Sequence, residues 1–155
     1  MHNSLGEYLN LTIGQGSIRV TPFQVIQFIN LVANNGDTYS PHFDKNNKDK
    51  KKIYSDYRPR VWEIIQKAMY DAVNSIDGTA KKIKIPSSLG IVYGKTGTAQ
   101  NSQGNPHSWF VGYMELKNGE LFSLCILVEN GGSGSGKATD IAKNIFNFIA
   151  KGNDV

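Results

Sequence analysis

A single cysteine, Cys125, in 155 residues excludes an intramolecular disulfide. The three histidines, His2, His42 and His107, are scattered without the spacing of zinc ligands, so no metal is expected. No apolar run approaches the roughly 18 residues that a membrane span needs. The N-terminus also lacks the apolar core of a signal peptide, and a soluble chain is expected. Charged residues are sparse at 19% and apolar residues make up 39%, a balance that excludes a disordered polyelectrolyte and fits a globular domain. Seventeen Lys and Arg against thirteen Asp and Glu leave a net charge of +4. Much of that excess lies in one run, residues 44–52, which reads as a solvated loop rather than a nucleic-acid contact. The length suits one domain with a core and is short for two.

What is present divides into a helical part, 21–76, a sheet part, 89–128, and a C-terminal helix, 137–150. The glycine-rich turn Ile13-Gly14-Gln15-Gly16 comes first. Thr21-Pro22-Phe23-Gln24 then has the form of a helix start, with a hydroxyl cap, proline at the first helical position and glutamine three residues after the cap. Val25, Ile26, Phe28, Ile29 and Val32 recur at helical spacing until Asn34-Asn35-Gly36 stops them. After the lysine-rich stretch, a loop or short hairpin, a second helix is expected from Pro59. Its stripe is Val61, Ile65, Ala68 and Ala72, widened by Trp62, Met69 and Val73.

The period then changes to that of strands. Strands are expected over 89–96, 108–116 and 121–128, the last two joined by the Asn118-Gly119 hairpin turn. Leu121 to Val128 is apolar on both alternating faces, as in a strand covered above and below. In the last helix Ile141, Ile145, Phe148 and Ile149 fall on one side. The fold class is α+β, an antiparallel β-meander covered by helices.

Lys95-Thr96-Gly97-Thr98 is the main chemical signal. A cation, two hydroxyls and a residue without a side chain stand at the end of a strand. Alternation puts Lys95 and Gly97 on one side and Thr96 and Thr98 on the other. Such a strand suits a peptide that adds as an extra edge and ends in a carboxylate. A second motif, Gly131 to Ala138, nearly fits a phosphate-cradling loop between a strand and a helix. Ala138 stands where that loop needs a hydroxyl, and too little chain follows for a nucleotide-binding sheet, so a flexible connection is the preferred reading. His107, Trp109, Phe110 and Tyr113 read as structural, and Cys125 as an inert core residue. Glu129 is a candidate buried partner for a cation.

Lys-Thr-Gly is one of the motifs of penicillin-binding proteins and their β-lactamase relatives. Around it stand Gly14-Gln15-Gly16, Val20-Thr21-Pro22-Phe23-Gln24, Ala33-Asn34-Asn35-Gly36, Gly78-Thr79-Ala80, His107-Ser108-Trp109-Phe110-Val111-Gly112-Tyr113 and Glu129-Asn130-Gly131-Gly132. This ordered set resembles the C-terminal part of the transpeptidase domain of class B penicillin-binding proteins, most closely the elongation type, from about Gly14 to Ile149. The resemblance implies peptidoglycan D,D-transpeptidation without a metal or organic cofactor. The implied ligands are the stem peptide and β-lactams, and no nucleic acid. The implied parent is membrane-anchored and acts at the outer face of the cytoplasmic membrane. Lys95 would supply positive charge near the nucleophile, the Thr96 and Thr98 hydroxyls would hold the substrate carboxylate, Gly97 would keep the strand open, and the Thr98 N–H would be an oxyanion-hole donor.

The family's nucleophile lies in Ser-x-x-Lys, followed by Ser-x-Asn. No serine here has lysine three residues on, and none has asparagine two residues on. The chain is therefore expected to be a C-terminal portion of one transpeptidase domain, catalytically inactive alone. The edge beside Leu121–Val128 and the apolar helix faces are then expected to be exposed, and the isolated chain to self-associate, as a homodimer for instance.

Overall fold

A computed structural model describes residues 5–44, 46 and 51–152. Lys45 and residues 47–50, most of the lysine-rich run, lie outside the described residues. The elements follow in the order α1 (Leu5–Thr12), α2 (Pro22–Ala33), β1 (Asp37–Tyr39), β2 (Lys52–Tyr54), α3 (Pro59–Asn74), a 3₁₀ turn (Lys81–Ile83), β3 (Gly90–Ala99), β4 (His107–Leu116), β5 (Leu121–Val128) and α4 (Lys137–Gly152). Strands β3, β4 and β5 form an antiparallel sheet in that order, and β1 and β2 form a separate hairpin.

Local chemistry accounts for the helix boundaries. The Thr21 hydroxyl accepts from the Gln24 N–H at 3.2 Å, and the Gln24 side chain accepts from the Thr21 N–H at 2.9 Å, a complete capping box. At the other end of α2 the Gly36 N–H returns to the Leu31 carbonyl at 2.7 Å, with Asn35 at φ 54° and Gly36 at φ 95°. That is a Schellman closure with asparagine in the left-handed position.

Alternation along the strands sorts the sheet into two faces. Tyr93, Val111 and Tyr113 pack with Ile29 and Val32 of α2 and Trp62 and Met69 of α3. Val92, Phe110, Met114 and Ile126 pack on the other face with Ala138, Ala142, Phe146 and Ala150 of α4, with Ile83 and with Val73. The sheet is thus a middle layer between helices, the α+β arrangement.

Several expectations are corrected. Helix α1 has no counterpart in the sequence reading, and none of its residues is buried. The buried stripe of α3 is Trp62, Met69 and Val73, while Ala68 is exposed, so the helix is rotated by about one position from the expected stripe. In α4 the buried residues are Ala138, Thr139, Ala142, Phe146 and Ala150. Ile141 and Phe148 are 42% and 80% exposed, because small alanines let the helix approach the sheet and the larger residues face away. Strand β5 meets helices on both faces, but among the described residues it pairs only with β4, and Ile126 is its one buried residue. Glu129 is exposed at its end rather than buried against a cation.

Candidate functional site

Strand β3 runs three residues further than expected, through Ala99, so the whole Lys95–Thr98 tetrad is paired strand rather than a strand end. Its partners on β4 are Val111, Phe110, Trp109 and Ser108 in turn. No strand pairs with the other edge of β3 among the described residues. Three side chains cap carbonyls along that edge. Asn74 Nδ2 donates to the Val92 carbonyl at 3.0 Å, Lys95 Nζ to the Thr96 carbonyl at 2.7 Å, and Gln15 Nε2 to the Thr98 carbonyl at 3.0 Å. The three carbonyls are separated by even numbers of residues, as on one edge of a strand, and a strand residue's N–H lies on the same side as its C=O. The Thr96 and Thr98 N–H groups therefore face outward, away from β4.

The side chains alternate as expected, but their surroundings differ. Lys95 is exposed on the α2–α3 face. Thr96 is buried on the α4 face, where its hydroxyl donates to Thr79 Oγ1 at 3.1 Å. Alternation turns this hydroxyl toward the Gly78-Thr79-Ala80 turn. The exposed Thr98 hydroxyl accepts from the Gly134 N–H at 3.0 Å, which leaves its own O–H free to donate outward.

The Gly131–Gly136 loop is anchored rather than loose. Ser108 Oγ donates to the Ser133 carbonyl at 2.8 Å and accepts from the Ala138 N–H at 3.3 Å, and Thr139 Oγ1 donates to the Gly134 carbonyl at 2.6 Å. Lys82 holds the Gly136 carbonyl at 3.2 Å and pairs with Asp140 at 2.7 Å. A Cβ at Gly134 would fall on the Gly97 backbone, so the loop lies directly against the tetrad. The amides a phosphate would need are engaged internally: Gly131 by Val128, Gly132 by Pro106, Gly134 by Thr98, and Ser135 and Gly136 by Ser133. That geometry weighs against nucleotide binding.

The remaining candidates are structural. His107 Nδ1 accepts from the Asn130 N–H at 3.0 Å and ties the start of β4 to the end of β5. Phe110 and Tyr113 are buried. Cys125 is half-buried, and burial pushes its thiol pKa up, away from reactivity. Gln15 and Gly134 received no role from the sequence. The glycines flanking Gln15 were the available signal for the first, and the approach of two glycine backbones became visible only in three dimensions.

The model of the penicillin-binding protein transpeptidase domain matches residues 3–147. The chain belongs to the penicillin-binding protein transpeptidase family. Peptidoglycan D,D-transpeptidase MrdA of Haemophilus influenzae is 29% identical over 92% of this chain, and MrdA of Acinetobacter baumannii 30% identical over 92%. The chain spans about a quarter of either relative, 26% and 24% of their lengths. Penicillin-binding protein 2 of Helicobacter pylori, solved in complex with MreC, superposes with a TM-score of 0.81 at 29% identity, covering 99% of this chain and 29% of that one. The domain is of the class B, penicillin-binding protein 2 type. No helix among the described residues is long and apolar enough to cross a membrane, and no group of three potential metal ligands occurs among them.

Proposed function

We propose that this chain forms the Lys-Thr-Gly wall of a peptidoglycan D,D-transpeptidase site and that its acyl-transfer nucleophile comes from another segment. The observation that carries the reading is the open edge of β3, with Lys95 exposed and the Thr98 N–H facing outward. An acyl donor ending in D-alanyl-D-alanine would lie along this edge as an added strand. Its carboxylate would meet the Lys95 ammonium and the Thr98 O–H, and the Thr98 N–H would stabilise the oxyanion that forms when a serine attacks the carbonyl. β-Lactams would occupy the same edge. The parent would act outside the cytoplasmic membrane, where its peptidoglycan substrate is.

The sequence contains neither Ser-x-x-Lys nor Ser-x-Asn, so this polypeptide alone has no activated serine. Intact-mass spectrometry after incubation with benzylpenicillin is expected to show no adduct, and a stoichiometric mass gain would overturn the assignment of the nucleophile elsewhere. In a protein joining this chain to a Ser-x-x-Lys segment, Thr98→Pro removes the edge N–H without breaking a bond to β4. Acylation is expected to fall by about 10²–10³-fold. Thr96→Val, whose hydroxyl is turned inward, is expected to leave the acylation rate nearly unchanged.

The open edge of β5 and the exposed Ile141 and Phe148 support a second reading for the isolated chain, a self-associating and non-catalytic piece.

A further inference from the structure

Away from the tetrad, on the α2–α3 face of the sheet, a cavity of about 210 Å³ lies beside the β4–β5 turn. It is lined by Asn35, Gln66, Tyr93, Tyr113, Glu115 and Leu121, among others, and no lysine or arginine lines it. Its polar groups are mostly acceptors, and they are held in place. Gln66 Nε2 donates to the Val32 carbonyl at 2.7 Å and to Asn35 Oδ1 at 3.0 Å. Those two bonds fix the orientation of the amide.

Tyr93 and Tyr113 are cross-strand partners whose rings stack in parallel, with centroids 4.5 Å apart and planes 8° from each other. Tyr113 is only 3% exposed. Glu115 adds a carboxylate close enough to raise the pKa of both phenols, although burial is the larger cause of each shift.

We propose that this cavity binds a guanidinium group carried on a short flexible stem. A planar cation with five fixed N–H donors matches one carboxylate, one oriented amide oxygen and two phenolic oxygens, and a compact ammonium has only three donors to offer. The volume lies below the roughly 300–1,000 Å³ of pockets for drug-sized ligands, so it takes a group of side-chain size rather than a nucleotide or a sugar chain. The stacked tyrosines and the doubly bonded Gln66 organise the site before the cation arrives, which lowers the entropic cost of binding. This site is independent of the acyl-transfer edge and does not rest on that function.

The test is an amide and side-chain NMR titration of the 155-residue chain with agmatine, a guanidinium on a butyl stem. Saturable shifts confined to Tyr93, Tyr113, Glu115 and the Gln66 side-chain amide are expected, with none from N-butylurea, which has a similar shape and no charge. Glu115→Gln, at an exposed position that leaves the core intact, is expected to weaken agmatine by about tenfold, the effect of losing a charge-assisted hydrogen bond. Tyr113→Phe is expected to weaken it as well. Non-saturating shifts, an equal response to N-butylurea, or affinity unchanged by Glu115→Gln would overturn the proposal. The capped tripeptide Gly-Arg-Gly distinguishes the source of the cation. Tighter binding than agmatine identifies an arginine of a partner protein, and equal binding a free guanidine.

Discussion

Gly134 is the residue on which the tetrad's geometry depends most directly. Its backbone lies against that of Gly97, and its N–H donates to the Thr98 hydroxyl. Gly134→Ala would set a methyl group onto the Gly97 peptide and push the loop away from β3. A loss of about 1–3 kcal/mol, as for overpacking elsewhere, is expected in urea denaturation. The Tyr93–Tyr113 pair makes a second residue-scale prediction. Burial first, then neighbouring charge, raises both phenol pKa values above the ordinary value near 10. The folded chain therefore keeps protons that the unfolded chain releases as pH rises past 10. Stability from this pair is fully present below pH 10 and declines above it. Denaturant midpoints measured from pH 8 to pH 11.5 should fall at the alkaline end, and Tyr113→Phe should flatten that fall.

Among the elements, the clearest link from sequence to structure is the start of α2. Its capping box was legible because Thr21, Pro22 and Gln24 act within one turn of chain. Thr21→Ala removes the hydroxyl acceptor, and chemical denaturation is expected to show a loss of about 1 kcal/mol. The same locality made the start of α3 at Pro59 and the hairpin turn at Gly119 readable. The buried stripes of α3 and α4 were less legible. Both helices carry apolar residues over a wide arc, and the sheet selects which part is covered. In α4 it selects the alanines and Phe146, because only small residues permit close approach. Helix α1 shows the opposite case: with no buried residue, it leaves no amphipathic pattern that the tertiary fold required.

At the scale of the whole molecule, the core is divided by a three-stranded sheet whose outer strand β5 has a single neighbour among the described residues. Leu5, Leu9, Ile13, Ile18 and Phe28 at the N-terminal end and Ile141 and Phe148 on α4 are all exposed. An open strand edge and such apolar surface drive association in water. Sedimentation velocity across a hundredfold range of concentration is expected to show a rising mean mass. A concentration-independent monomer that binds no hydrophobic dye would remove the self-association reading. Strand addition at β5 would leave the β3 edge open, so an associated chain would still present Lys95 and Thr98.

The sequence by itself determined the α+β class, the helix caps, the meander, the ordered family motifs and the alternation of the tetrad. Each of these is local, set by spacing within a few residues or by identity at fixed positions. The tertiary structure alone decided that Thr96 turns onto Thr79 and that Gln15, 83 positions away in sequence, reaches the Thr98 carbonyl. It alone anchored the Gly131–Gly136 loop on Gly97 and placed two tyrosines and a glutamate around one cavity. These are contacts between segments distant in the chain. Their existence depends on how close two backbones can come, and residue order does not encode that distance locally.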